Sequence, residues 1–342
     1  MSEACRLTVA RVLDETADAR SFELSVPPAL ADRFRYKPGQ FLTFLVPAEG
    51  GAVRRCYSLC TAPGVDDRPA VTVKRVAGGR ASNWFNDQVR AGQELEVLPP
   101  AGRFVLRDPP RPLFFYAGGS GITPVMALIK SALRDWTVPI ALLYANRDRA
   151  SIIFEAALAD LARAHPQRLA VAHHLDSERG WVTGDEVRAF AQPRPAAAWH
   201  YICGPAPFME LVERTLVELN VPAGQIFVER FSSDLPPELA EAFGAAEIGT
   251  DAIPAHLRIK LDGSISEAEC AAGETILAAA RRAGLDPPAV CEQGSCASCL
   301  AKLVSGTARM RRNEVLNEAE IAEGLVLTCQ AEPTSAALEV EY

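Results

Sequence analysis

The stretch AVCEQGSCASCLAKL, residues 289–303, sets Cys291, Cys296 and Cys299 at a C-x4-C-x2-C spacing. A fourth cysteine, Cys329, follows thirty positions later in LTCQAEP. Backbone that presents three thiols to one centre must turn repeatedly, and the intervening Gly294, Ser295, Ala297 and Ser298 are small enough to allow it. A disulfide framework fits poorly. The chain has nine cysteines, an odd number. Its opening MSEACRLTVARVLDE has no apolar signal core, and there is no apolar run of about 18 residues. The expectation is a soluble cytoplasmic protein whose thiols stay reduced.

C-x4-C-x2-C with a distant fourth cysteine is the plant-type [2Fe–2S] spacing. A structural zinc site is the alternative, but zinc usually pairs one C-x2-C with a second close pair, and here the fourth thiol stands alone. Residues 256–342 resemble the plant-type ferredoxin domain, an α+β β-grasp fold. The resemblance implies that Cys291, Cys296, Cys299 and Cys329 hold the cluster and that the other five cysteines do not. One departure is visible: Ala297 occupies a position where that family often has glycine.

The rest of the chain divides by period and by charge. Over residues 1–108, short runs rich in Val, Leu, Thr and Phe (LTVARVLDET, SFELSVP, FLTFLVP, AVTVKRVA, QELEVLPP) alternate with Pro and Gly clusters, the signature of an antiparallel barrel or sandwich. From PPRP at 109–112 the pattern becomes strands alternating with helices of ten to fifteen residues: LFFYA, a helix from Pro124, IALLYA, a helix over SIIFEAALADLARAH, RLAVAHHL, a capping box at TGDE, WHYICG and PFMELVERTLVEL. That alternation predicts an α/β domain with a parallel sheet over 109–232. Residues 233–255 read as a linker, and the last domain opens with a hairpin around Asp262 and Gly263 and a helix over TILAAARRAGL ended by Gly284. Lys and Arg number 27 against 25 Asp and Glu over 1–232, none against five over 233–255, and eight against 13 over 256–342. The acidity thus sits in the C-terminal third, which argues against a nucleic-acid partner and for a basic protein partner.

In YAGGSGITP, Gly118, Gly119 and Gly121 lie between a strand and a helix, with Thr123 as the expected N-cap and Pro124 as the first helical residue. Such a turn lets backbone approach a pyrophosphate at a helix N-terminus, although taken alone it is equally an ordinary strand-to-helix turn. It is accompanied by RRCYSL (Arg55, Tyr57, Ser58), VKRVAGGRASNWF (Val73, Lys74, Gly79, Arg80, Ala81, Ser82), YANRDRA (Asn146, Arg147, Asp148, Arg149), YICGP (Cys203, Gly204, Pro205) and FVERFSS (Glu229, Phe231). In this order these motifs resemble the ferredoxin–NADP⁺ reductase superfamily, which binds a flavin on a β-barrel and a nicotinamide cofactor on a Rossmann-like domain.

The resemblance implies roles that suit each residue type. Arg55 would neutralise a flavin phosphate, Tyr57 on the same strand face would stack on the isoalloxazine, and Ser58 would sit near N5. Val73, Lys74, Gly79, Ala81 and Ser82 would line the flavin. The GRAS segment at its pyrophosphate favours FAD over FMN. Phe231 would cover the other flavin face, unless it simply packs in the core. Gly119, Gly121, Thr123, Asn146, Arg147, Cys203, Gly204 and Pro205 would bind the nicotinamide cofactor, with Ser58, Cys203 and Glu229 at the reacting centre. Asn146 and Asp148 favour a ribose hydroxyl, hence NADH. The expected function is an electron-transfer component, taking electrons from NADH through FAD and [2Fe–2S] to a terminal oxygenase of Rieske or di-iron type. A stand-alone flavin reductase and a zinc-stabilised binding protein are the rival readings. Neither a membrane nor nucleic acid is an expected partner.

Overall fold

A computed structural model describes residues 4–48, 51–192, 195–231, 252–261, 263–289, 292, 294, 297–313, 315–316 and 318–342. These form two compact units, Ala4–Phe231 and a C-terminal unit within Ser232–Tyr342. Most of the expected linker, together with Asp262, Cys291, Ser295 and Cys296, lies outside the described residues.

The first unit opens with strands β1 (Cys5–Thr16), β2 (Ala19–Ser25), β3 (Phe41–Ala48), β4 (Gly51–Ser58), β5 (Ala70–Lys74) and β6 (Glu94–Ala101). They form one antiparallel sheet in the order β4-β3-β6-β1-β2-β5. Its two edges meet at an antiparallel bridge between Leu59 and Val71, with the Cys60 amide donating to the Ala70 carbonyl at 2.9 Å. The sheet therefore curls into the expected barrel. Helix α1 (Arg80–Gln88), which the strand-rich pattern did not announce, plugs it. Phe85 on this helix is fully buried and meets the rings of Phe22, Phe44, Tyr57 and Trp84 edge-on, each at 5.1–5.2 Å between centroids. Asn86 ties the helix to β5 by donating to the Val73 carbonyl at 3.1 Å.

After a cis Asp108–Pro109 bond comes a parallel sheet of β7 (Leu113–Gly118), β8 (Ile140–Asn146), β9 (Leu169–Leu175), β10 (Trp199–Cys203) and β11 (Ile226–Glu229). Its order is β11-β10-β7-β8-β9. Helices α2 (Ile122–Asp135) and α3 (Glu155–Ala164) pack on one face; the short α4 (Asp176–Arg179) follows β9, and α5 (Gly184–Ala191) and α6 (Ala206–Glu218) pack on the other. Each face has its own apolar core, which explains why strands such as β7 and β10 are buried along their whole length. Ala19 and Phe104 of the barrel side are buried in the α2-side core, so the two halves of this unit share packing.

Two expectations are corrected here. Thr123 is not an N-cap: α2 already begins at Ile122, and the Thr123 hydroxyl donates to the Ser120 carbonyl at 3.1 Å. The reason is that Gly119–Gly121 forms a 3-10 turn running straight into the helix, leaving no extended capping position. The helix expected from Ser151 starts only at Glu155, because Asp148 caps a separate 3-10 turn at Arg149–Ser151 and Phe154 takes a left-handed φ of 62°. The 183–186 capping box forms as expected, with the Thr183 hydroxyl accepting the Glu186 amide at 3.3 Å and the Thr183 amide donating to Glu186 Oε2 at 2.9 Å.

The second unit contains β12 (Ala255–Leu261), β13 (Ser264–Cys270), a helix at Ile276–Arg282, β14 (Leu300–Ser305), β15 (Ala308–Met310), a short helix at Glu318–Ala322, β16 (Leu325–Leu327), β17 (Ala331–Pro333) and β18 (Ala337–Glu341). The sheet order β13-β12-β18-β14-β16 puts the first and last strands side by side and parallel, with the helix at Ile276–Arg282 packed on the sheet. Among the described residues of both units, no helix is long and apolar enough to cross a membrane.

Candidate active site and cluster site

In the parallel sheet the strand order reverses direction between β7 and β10, so the loops after these two strands diverge to opposite faces and leave a crevice at their C-terminal ends. The 119–121 turn follows β7; Cys203, Gly204 and Pro205 end β10. The two turns touch backbone to backbone: a Cβ on Gly121 would fall onto the Cys203 carbonyl, and one on Gly204 would lie 2.9 Å from the Gly118 nitrogen. The Tyr144 hydroxyl, from β8, braces the turn against the Gly119 carbonyl at 3.2 Å.

The barrel contributes to the same crevice. Lys74, the last residue of β5, brings its Nζ to 3.8 Å from where a Cβ of Gly119 would be, and a carboxylate of Asp18 lies 3.9 Å away. Beyond Lys74, α1 begins at Arg80 with Gly79 as an N-cap that offers no side-chain bond, so its first amides are left for another acceptor. Ser82 does not serve as such an acceptor's partner freely: it is buried and its hydroxyl accepts the Val76 amide at 3.1 Å. Val73 and Ala81 have their side chains in the barrel core, leaving only backbone to face a ligand. On β4, Tyr57 is half-buried, its edge against Phe44 and Phe85; Arg55 is half-buried, donating to the Arg54 carbonyl at 2.7 Å; and Ser58 is buried. Phe231 is 37 % exposed and belongs to none of the described apolar cores. The chain just before it is fixed by Arg230, which donates to both Glu213 oxygens at 2.5 and 2.9 Å.

Electrostatics single out the β10–β11 pair, where Cys203 and Glu229 are register partners. Burial pushes the Glu229 carboxyl up to about 8. Burial, and then the charge of Glu229, raises the Cys203 thiol well above its usual range. At the end of β8, Asn146 is buried; its side-chain amide lies beside the Tyr144 hydroxyl without reaching full hydrogen-bond geometry. Such a group calls for a polar ligand. The neighbouring cations are already engaged: Arg147 Nε donates to Asp148 at 2.8 Å and Arg149 to Glu155 at 2.8 Å.

In the second unit, Cys299 and Cys329 are buried in one apolar pocket with Leu277, Ala297, Leu316 and Leu327. The described loop residues Glu292, Gly294 and Ala297 all have positive φ, at 57°, 77° and 54°. At Gly294 a side chain is also excluded by space, since its Cβ would lie 2.7 Å from the Arg312 carbonyl oxygen. Gln330, which sequence reasoning passed over, donates to the Glu292 carbonyl at 2.9 Å and approaches the Cys329 sulfur at 3.7 Å. Its only sequence signal was adjacency to Cys329. Thiol donors on a repeatedly turned loop suit a [2Fe–2S] cluster, uncapped helix amides beside a half-buried Tyr and Arg suit a flavin diphosphate, and the buried Asn146 beside a glycine turn suits a nicotinamide dinucleotide.

Three domain families match: an oxidoreductase FAD-binding domain over residues 6–106, an oxidoreductase NAD-binding domain over 115–214, and a 2Fe-2S iron-sulfur cluster binding domain over 259–334. The chain is 43 % identical to the ferredoxin reductase component of 3-ketosteroid-9-alpha-monooxygenase from Mycolicibacterium smegmatis, across 100 % of this chain and 98 % of the relative. The chain belongs to the ferredoxin–NADP⁺ reductase superfamily, in the branch with a C-terminal [2Fe–2S] ferredoxin domain. One of the subunits of 1,2-phenylacetyl-CoA epoxidase from Escherichia coli is 35 % identical over 98 % of this chain and 97 % of the relative. The structure of phthalate dioxygenase reductase matches with a TM-score of 0.62 and 27 % identity over 99 % of this chain and 98 % of that one. As a member of this branch the chain is an NAD(P)H-dependent reductase component of oxygenase systems, with FAD and [2Fe–2S] as its redox groups. The zinc alternative falls with the match to the cluster-binding family.

Proposed function

We propose that the partner is a terminal oxygenase of Rieske or di-iron type and that electrons leave for it from the ferredoxin domain. The relatives support this, since they belong to a ketosteroid monooxygenase and a phenylacetyl-CoA epoxidase. When bound, FAD would supply two-electron acceptance from NADH and a [2Fe–2S] cluster one-electron release, which suits delivery to an oxygenase. The protein's part is positional. Gly119, Gly121 and the amides opening α2 would cradle the dinucleotide pyrophosphate, with Asn146 on the adjoining ribose. Lys74, Arg55 and the first amides of α1 would hold the flavin diphosphate. Tyr57 and Phe231 would cover the two flavin faces, and Ser58, Cys203 and Glu229 would surround the reacting centre. Cys291, Cys296, Cys299 and Cys329 would ligate the cluster.

The observation that carries the reading is the convergence of the β7 turn, the β10 turn and Lys74 on one crevice, since hydride transfer needs a donor and an acceptor held at about 3–3.5 Å. NADH is the proposed donor because both arginines that could meet a 2′-phosphate, Arg147 and Arg149, are already paired with carboxylates. Anaerobic titration of the purified protein tests the whole: NADH should bleach flavin and cluster absorbance together, with a Michaelis constant below that for NADPH. A colourless protein, flavin lost on gel filtration, or a lower constant for NADPH with equal turnover would each overturn the corresponding part.

A further inference from the structure

Helix α2 carries the nicotinamide turn at one end and leans on the flavin half at the other. Lys130, in its third turn, places Nζ 2.7 Å from Asp66 Oδ1, in the loop between β4 and β5. The pair is shielded, with the two side chains 17 % and 23 % exposed, and the second Asp66 oxygen accepts the Ala62 amide at 2.8 Å. One turn further along, Arg134 donates to the carbonyl of Pro63 in the same loop. A second flavin-side carboxylate lies nearby: Glu15 of β1 accepts the Ser21 hydroxyl at 2.6 Å, is hydrogen-bonded by the Phe154 backbone ahead of α3, and feels the Lys130 charge. Burial raises the Glu15 carboxyl. The outer half of α2 is thus tied to loop 59–69 by directed polar bonds, in addition to the apolar packing along the helix.

We propose that Lys130 is a positioning residue for hydride transfer: its ion pair with Asp66 fixes the set of α2, and with it the stance of the Gly119–Gly121 turn against Lys74 and the flavin. Lys130 stands seven residues from Thr123, about 10 Å along the helix axis. A small tilt about that anchor therefore displaces the turn, and misplacement by about 1 Å at a reacting centre costs up to ~100-fold. Apolar packing is less directional than this ion pair. The inference rests on the reading that NADH reduces the bound flavin here, and reduction of the wild-type protein checks that reading separately.

The test uses the full chain with FAD bound and anaerobic stopped-flow reduction by NADH. Lys130→Met should slow flavin reduction at saturating NADH about tenfold while the NADH dissociation constant moves less than twofold. Lys130→Arg should recover at least half of the wild-type rate. Asp66→Asn should slow it similarly, and the double variant should be no slower than the worse single one. A saturated rate within twofold of wild type in Lys130→Met overturns the proposal, even if the variant melts at a lower temperature. Should Lys130→Met fail to retain FAD, Asp66→Asn is judged by the same two outcomes.

Discussion

On the proposed site assignment, the reductase unit would rely partly on backbone to hold its ligands and the ferredoxin unit on thiols to hold its cluster. In Ala4–Phe231 the proposed site combines side chains such as Arg55, Lys74 and Asn146 with backbone at element ends: the turn after β7, the end of β10 and the opening of α1. In the ferredoxin unit the proposed ligands are side-chain thiols, and the described neighbours Glu292, Gly294 and Ala297 have positive φ. Backbone recognition asks a residue mainly to be absent from a space, as at Gly121, whereas thiolate ligation asks for one atom type at a fixed spacing. The first kind of site should therefore be broken by adding a methyl group at Gly121, the second most directly by removing a sulfur.

The largest expected effect follows. Cys299→Ser should remove most of the cluster iron and its absorbance and abolish delivery to an oxygenase, while flavin content stays at wild-type level. Iron analysis beside the flavin spectrum reads this, and equal loss of both groups would break the contrast. Gly121→Ala comes next. Its Cβ has no room before the Cys203 carbonyl, so the two turns must part. NADH-driven flavin reduction should fall by at least about tenfold, equivalent to ~1.4 kcal/mol, with FAD and iron retained. Wild-type kinetics in this variant would mean that the backbone contact is irrelevant to the nicotinamide site.

A smaller effect distinguishes the half-buried acid of β11. Glu229 has a folded value of about 8 against an ordinary 4.5, raised by burial. Below 4.5 both folded and unfolded chains hold the proton, and the group is neutral in its effect. Between about 4.5 and 8 the unfolded chain releases the proton that the folded chain keeps, so stability falls as pH rises, and above about 8 the full cost is present. Glu229→Gln should thus gain thermal stability relative to wild type on going from pH 5 to pH 9; a pH-independent difference would show that this carboxyl titrates normally. The smallest effect is at Ala297, whose φ of 54° is a conformation that costs an L-residue about 1 kcal/mol. Ala297→Gly should leave cluster content unchanged and raise the melting temperature of the cluster-loaded protein by a degree or two, or not at all where added unfolded-state entropy offsets the relief. A marked loss of stability would show that the methyl group, one wall of the apolar pocket around Cys299 and Cys329, matters more than the strain.

What the sequence determined by itself is what depends on periodicity and on spacing along the chain. The alternation of short strands, the later strand–helix rhythm and the 183–186 capping box were legible because each is written within a few neighbouring residues. So was the C-x4-C-x2-C pattern, since its three cysteines lie within nine residues of sequence. Helix α1 was not legible: its apolar positions sit inside a strand-rich stretch, and its reason to form is Phe85 finding four rings that come from distant strands and from Trp84 beside it. The Thr123 assignment failed because a 3-10 turn can feed a helix without a capping residue, a matter of backbone geometry that Thr-Pro does not encode. Only the tertiary structure decided that Lys74 meets the Gly119 turn, that Lys130 pairs with Asp66 across 64 residues, and that the surroundings of Glu229 push its carboxyl up. Each of these depends on which surfaces are brought together and dried by folding, and desolvation is a property of the assembled neighbourhood, not of any local stretch of chain.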